Sequence, residues 1–253
     1  MNWIGLNTLI KREVGRFFAV YRQTVLPGLI TTALYIAIFG FTLEQRISEI
    51  QGVPYTMFIL PGLIMMNTLT NASSNTSSSM LQMKLLQQLP DLLTAPLSGL
   101  EIALAYIIGG AIRGMVSGIL VLLVGVILID LPISNLAGTL MFIFLVSWAF
   151  SSMGLVMGQL AESWDQLAMM QNFFLTPLSF LGGVFYSIKM LPEWAQNLSF
   201  INPIYYMING IRYTILEKSD SPVIISFWMA VLLTLSFTSL AIIMMQSGKR
   251  IKQ

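Results

Sequence analysis

The chain contains no cysteine and no histidine. Their absence removes disulfides, thiolate nucleophiles, Ser-His dyads, HExxH zinc sites and histidine proton relays together. Charge is scarce as well. Asp, Glu, Lys and Arg make up 9% of the 253 residues and the hydrophobic set 56%, whereas soluble domains carry about 25% charged residues. Too little polar surface remains to solvate a globule, so the bulk solvent is lipid. The net charge of +2 decides little, because in a membrane protein the placement of Lys and Arg outweighs their sum. The sequence also lacks a GxxxxGK[ST] phosphate loop, so the chain is not itself an ATPase.

What is present is long apolar runs. A helix needs roughly 20 apolar residues to cross a core of about 30 Å. Six segments meet that length: Val25–Leu43, Pro54–Ser73, Ala103–Ile129, Leu136–Leu160, Ala168–Tyr186 and Val223–Met245. Ser98–Glu101, SGLE, reads as a capping box opening the third, and Ser163–Gln166, SWDQ, as another opening the fifth. Ser221-Pro222 places a cap residue before a first-turn proline at the sixth.

An even number of crossings puts both ends on one side. Lys11, Arg12, Arg16 and Arg22 at one end and Lys249, Arg250 and Lys252 at the other assign that side to the cytosol. Lys189, Arg212 and Lys218 then lie outside, against the trend. A cleavable signal is a poor reading of the start, because Val25–Leu43 is too long for an h-region. Instead, Trp3, Leu6, Ile10, Val14, Phe17 and Tyr21 recur every three or four residues, as in an amphipathic helix lying among headgroups. The plainer reading is an extension of the first span.

One ionisable residue, Arg113, lies well inside a span, and no Asp or Glu does. An arginine there either snorkels to the cytosolic headgroups or serves a partner or cavity. The lack of mid-span carboxylates argues against a proton-driven antiporter. Span two ends in NTLTNASSNTSSS, Asn67–Ser79. Asn67, Asn71 and Asn75 form one row on a helix, and Thr70, Ser74 and Ser78 the next. Lipid penalises such a ribbon, so it either glues helices together or lines a wet path.

Two regions break the pattern. In Met83–Glu101, Pro90 can start a short helix and Pro96 ends it, leaving Leu92 and Leu93 on an apolar knob beside Asp91. Exposed leucines of this kind need a covering surface, either the membrane interface or a partner protein. After Tyr186 comes a stretch too polar to span and too aromatic to float freely. Two short helices, near Pro192–Leu198 and Pro203–Leu216, are expected there, turning on Asn202-Pro203 and dipping into the outer leaflet. Irregular backbone at that depth requires surrounding protein or a water-filled cavity. The break therefore marks an outer gate, a subunit interface or a structural cap.

With VPYTMFILPGLIMM from Val53, LLTAPLS from Leu92 and the long motif from Phe173 to Tyr213 in place, the chain resembles an ABC-2 type permease, the membrane subunit of a bacterial ATP-binding-cassette exporter. The likeness spans essentially all 253 residues. It implies an all-α membrane protein forming a single domain over 1–253. Six transmembrane helices would be preceded by an interfacial amphipathic helix over 1–24. A cytosolic coupling segment would cover 83–101 and two external re-entrant helices 187–221, before the last span. Within the implied coupling segment the candidate residues are Lys84, Pro90, Asp91, Leu92, Leu93 and Pro96, and the polar ribbon supplies Asn67, Thr70, Asn71, Ser74 and Asn75 as candidates for the translocation path. Gly182, Gly183, Pro192, Trp194, Asn202, Pro203 and Arg212 fall to the external gate. Relatives often carry charges in the coupling segment where this chain has QQLPD, Gln87–Asp91.

The implied assembly is a homodimer in the bacterial inner membrane, both termini cytosolic, with two soluble ATPase subunits beneath. ATP and Mg would be bound on those subunits, with no cofactor, metal or nucleic acid on this chain. The cargo class is an amphiphile: polysaccharide, lipid or drug-like. The alternatives are an ion-driven transporter acting without an ATPase and, more remotely, a membrane-embedded hydrolase.

Overall fold

In the computed structural model, residues 1–42 and 49–248 are described. The basic Lys249, Arg250 and Lys252, the expected span end at Leu43 and the side chain of Leu93 fall outside that set. The described chain is helical apart from one small hairpin. Helix α1, Trp3–Ala19, is followed by the single turn α2, Tyr21–Thr24, and by α3, Leu26–Thr42. Strands β1, Glu49–Ile50, and β2, Val53–Pro54, pair through Gln51 and Gly52, both at positive φ as a two-residue hairpin turn requires.

Next come α4, Tyr55–Leu85, α5, Leu89–Thr94, α6, Gly99–Ile129, and α7, Leu136–Leu160. A helical run over 164–181 then divides into α8, Trp164–Met170, a π turn at Gln171–Leu175 and α9, Thr176–Leu181. Pro177 has no N–H to continue the ladder, and the Thr176 N–H reaches back five residues to Gln171 O. The fifth expected span thus ends at Leu181, short of Tyr186, at a turn where Gly183 takes φ +79°. Helices α10, Glu193–Ile201, α11, Pro203–Leu216, and α12, Val223–Ser247, complete the chain.

Four helices among the described residues are long and apolar enough to cross a membrane, over Tyr21–Phe39, Gly99–Ile129, Leu136–Leu160 and Val223–Ser247. Helix α4 matches α6 in length at 31 residues each, about 46 Å at 1.5 Å per residue, but its polar half lowers its hydropathy. That half is the centre of the bundle. Thr68, Ala72 and Thr76 of α4 face Gly118, Gly114 and Gly110 of α6 in antiparallel order, so a side chain at those glycines would overlap the α4 residues. Gly154 and Gly158 of α7 approach the Ser73 and Ser77 backbone in the same way. Small residues at fourfold spacing let helix backbones close in lipid, where packing and hydrogen bonds replace the hydrophobic effect.

Three end signals can be compared with their expected forms. The Ser98–Glu101 capping box forms with both reciprocal bonds. At Ser163 only half of a box exists: Ser163 Oγ accepts from Gln166 N, while Gln166 Oε1 accepts from Glu162 N, one residue too early. Ser221 does not cap α12. Pro222 holds the N-cap position, and Ser221 instead accepts from Asn209 Nδ2 through its carbonyl and hydroxyl.

Leu6 and Leu9 of α1 join Met80, Leu89, Ile102, Leu155, Ala241 and Met245 in one apolar cluster. The N-terminal helix and the end of α12 therefore lie at the same end of the bundle. Helix α1 is a separate element lying across the first half of α6, held by Asn2 N–H to Glu101 and Asn2 Nδ2 to Pro96 O at 3.2 Å. Its buried face runs Leu6–Leu9–Glu13–Phe17: it shares Leu6 and Phe17 with the expected stripe but puts Leu9 and Glu13 in place of half-buried Ile10 and Val14, and Trp3 and Tyr21 are exposed.

The glycine seam yields a direct test. Gly110→Val forces a branched side chain into Thr76 and Ser151 and should cost about 1–3 kcal/mol as overpacking. Gly15→Ala, with nothing within 4 Å in the interior of α1, should instead stabilise by up to about 1 kcal/mol. Thermal unfolding in detergent checks both; equal midpoints would mean that the seam is not tightly packed.

Candidate functional site

The α4 ribbon divides between two jobs. Thr68, Ser73, Thr76 and Ser77 are fully buried against α6 and α7, with Thr76 Oγ1 and Ser151 Oγ 2.7 Å apart. Asn67, Thr70, Asn71 and Ser74 turn the other way and line a cavity of about 340 Å³ between α3 and α4. Gln23, Thr24, Thr31 and Thr32 contribute from the α2–α3 side, and Leu63 and Met66 from α4. Packing glue and cavity lining thus coexist on adjacent faces of one helix.

Arg113 closes the cavity wall. It does not snorkel. Its Nε and Nη2 donate to Asn71 Oδ1 at 3.2 and 3.1 Å, and its Nη1 to Asn75 Oδ1 at 3.4 Å. Asn71 in turn donates to Asn67 Oδ1 at 2.9 Å. Asn75, expected on the path, is buried instead and acts as a junction. Its Oδ1 also accepts from Arg16 Nη2 at 3.1 Å, and its carbonyl accepts from the same nitrogen at 2.8 Å.

That junction leads to a residue the sequence reading passed over. Glu13 is wholly buried on α1, paired with Arg12 at 2.9 Å and Arg16 at 3.6 Å, and accepts from Ser79 Oγ at 2.6 Å. Arg12 also donates to the Tyr106 hydroxyl at 3.0 Å. Gly109 makes room, since a Cβ there would sit 2.6 Å from Glu13 Cβ. The available signal was a single acid flanked by Arg12 and Arg16 on the face that buries Leu6 and Leu9. Gln171, in the π turn, was likewise missed; its Nε2 donates to Ser77 Oγ at 3.1 Å.

The coupling segment differs in detail from its expected form. Helix α5 starts with Pro90 in its first turn and stops before Pro96, as the prolines require. Leu92 is buried with Leu89 in the cluster under α1, so it is not part of an exposed knob. The six-residue helix folds its apolar side inward because Leu6 and Ile102 offer it a dry surface. Among the described side chains of the segment, the exposed leucines are Leu85 and Leu86, followed by exposed Gln87, Gln88, Pro90 and Asp91. Lys84 points away from that patch and donates to Gln159 O and Ala161 O at 2.8 and 2.7 Å, satisfying carbonyls at the end of α7.

At the opposite end, Arg212 is fully buried. It stacks over Phe58 at 4.1 Å, donates to Gly183 O at 2.6 Å and pairs with Asp220 at 3.8 Å. Asp220 also accepts from Ser187 Oγ at 2.5 Å and Gln51 Nε2 at 2.7 Å. Among the expected gate residues, Gly183 and Arg212 thus meet directly. Asn202 joins as the N-cap of α11, accepting from Ile204 N and donating to Leu178 O at 2.6 Å, with Pro203 in the first turn. Gly182 packs closely on Ile208. Pro192 precedes α10, whose Trp194, Leu198 and Ile201 form an exposed apolar stripe. Arg212 is buried together with its own anion, Asp220.

The sequence pattern of the ABC-2 type transporter family matches residues 5–216. The inner membrane transport permease YadH of Escherichia coli K12 is 36% identical over 250 residues, 99% of this chain and 98% of its own. Nodulation protein J of Sinorhizobium fredii is 26% identical over 71% of this chain and 69% of its own. Nodulation protein J of Rhizobium leguminosarum bv. viciae is also 26% identical, over 86% and 83%.

Two substitutions probe the buried charges. Removing one partner of a buried ion pair costs about 3–5 kcal/mol. Glu13→Gln should therefore release α1. In a Leu9→Cys background, which supplies the only thiol, maleimide labelling at buried Leu9 should accelerate at least about tenfold. An unchanged rate would mean that apolar contacts alone hold the helix. Asp220→Asn should lower the unfolding midpoint, and adding Arg212→Met should recover part of the loss; a double variant worse than the single would contradict the pairing.

Proposed function

The chain belongs to the ABC-2 type transporter family, and on that premise we propose that it is the membrane subunit of an ATP-driven exporter for an amphiphilic substrate. Two copies pair in the bacterial inner membrane, and two soluble ATPase subunits, which bind ATP and Mg, dock on the cytosolic face. The observation that carries this reading is the cavity between α3 and α4, where Asn67, Thr70, Asn71 and Ser74 meet Arg113. A polar concavity inside an apolar chain is what a path for a molecule with a polar part requires.

In this reading six segments cross the bilayer: α3, α4, α6, α7, the broken run over 164–181, and α12. Helices α10 and α11 re-enter from the outside, and α1 lies in the cytosolic interface. The exposed stripe of Trp194, Leu198 and Ile201 suits the outer leaflet interface or the second copy. The common placement of α1 and the end of α12 agrees with both termini being cytosolic. Docking of the ATPase falls to the turn Leu85–Asp91, where exposed Leu85 and Leu86 offer an apolar anchor with Asp91 beside it. The substrate, whether polysaccharide, lipid or drug-like, enters the cavity from the cytosolic side and leaves through the pair.

The test is coupling. Leu85→Asp together with Leu86→Asp should abolish co-purification of a soluble nucleotide-binding subunit and cut ATP turnover of the complex at least about tenfold. The permease midpoint should be unchanged, because both side chains are exposed. Leu92→Asp should instead lower the midpoint, because Leu92 is buried. An intact complex with full turnover in the double variant would remove the docking assignment.

A further inference from the structure

The cavity between α3 and α4 is chemically graded along its length. Gln23, Thr24, Ser74 and Arg113 stand toward the end where α3 begins, and Tyr35 and Leu63 wall the other end. Its charge is also unbalanced. Arg113 is 9% exposed, and among the described residues its guanidinium hydrogen-bonds only to neutral amide oxygens, those of Asn71 and Asn75, with the Phe17 ring 5.9 Å away. Glu13, the carboxylate that pairs in this region, is already shared by Arg12 and Arg16. Arg12, Glu13 and Arg16 line a separate pocket, so Arg113 is the one charged group among the described residues on this cavity and leaves its polar end positive.

A buried cation with no anion is unfavourable, and an oxyanion at this place would relieve it. Guanidinium also matches the geometry of phosphate or carboxylate oxygens.

We infer that the cavity binds an amphiphile with an oxyanion headgroup. The headgroup lies against Arg113 near Ser74 and Thr24, and the tail runs past Tyr35 and Leu63 toward the far end of α3. Gln23 and Thr24 offer further hydrogen bonds at the mouth. At about 340 Å³ the space lies within the range of about 300–1,000 Å³ usual for small-ligand sites. The inference rests on the cavity being part of the transport path, and it adds the charge of the cargo to that reading.

The experiment uses the full chain in phosphatidylcholine nanodiscs without any ATPase, titrated with radiolabelled dodecyl phosphate. Saturable binding is expected, weakened at least about tenfold by Arg113→Gln and retained within about threefold by Arg113→Lys. Thr70→Trp fills the cavity from an exposed position and should weaken binding to the same degree without touching Arg113, which keeps the test valid if Arg113→Gln does not fold. Dodecyl maltoside should not compete, and inorganic phosphate should compete at least about a hundredfold more weakly. Non-saturable binding, indifference to both Arg113→Gln and Thr70→Trp, or inorganic phosphate competing as well as dodecyl phosphate would overturn the proposal. Because no ATPase is present, failed coupling with intact binding would count against the exporter reading alone.

Discussion

A polar run from Asn67 to Ser79 has to be clothed inside a protein whose solvent is lipid. Every neighbouring element answers to that demand. Helices α6 and α7 meet it with glycines, which bring their backbones against Thr68, Ala72, Ser73, Thr76 and Ser77. Helix α1 covers Ser79 and Asn75 with a buried glutamate and an arginine. What is left uncovered, Asn67, Thr70 and Ser74, is the wall of the cavity. Architecture and site are therefore two faces of the same helix, and a change to the seam reaches the cavity through a single turn of α4.

The treatment of cations follows one rule throughout. Each deeply placed positive group ends on oxygen atoms offered by an irregular or terminal backbone, by an amide, or by a carboxylate. Lys84 takes the last carbonyls of α7, Arg212 takes Gly183 O and Asp220, and Arg16 takes Asn75. These contacts lock element ends together where lipid offers no partner. Arg113 follows the same rule, but it also lines a cavity and has only amide oxygens as acceptors among the described residues.

Much of this was legible in the residues. Hydropathy located the long helices, Ser98 and Glu101 marked the start of α6, and Asn202-Pro203 marked the turn into α11. The fourfold spacing of asparagines announced a directional polar face. What could not be read was which neighbour covers each row, because one sequence holds no information on helix rotation about its axis. For that reason Leu92 looked exposed and Leu86 did not stand out, although they lie six residues apart in a similar apolar setting. Glu13 escaped because amphipathicity counts charges as outward-facing. Here the carboxylate faces inward, and two arginines beside it make that tolerable. Asp220 escaped for a related reason, as its partner Arg212 lies eight residues earlier and the two meet only through the fold of the 183–221 region.

The amide oxygen of Asn75 is a shared resource. Arg16 reaches it from the surface helix and Arg113 from the third long helix, so three elements are tethered at one atom. Were α1 to tilt or slide by the length of a hydrogen bond, Arg16 would let go and Asn75 would be left to Arg113 alone. The floor of the chamber would feel the shift at once. A displacement of α1 thereby has a lever arm that ends at the cavity wall.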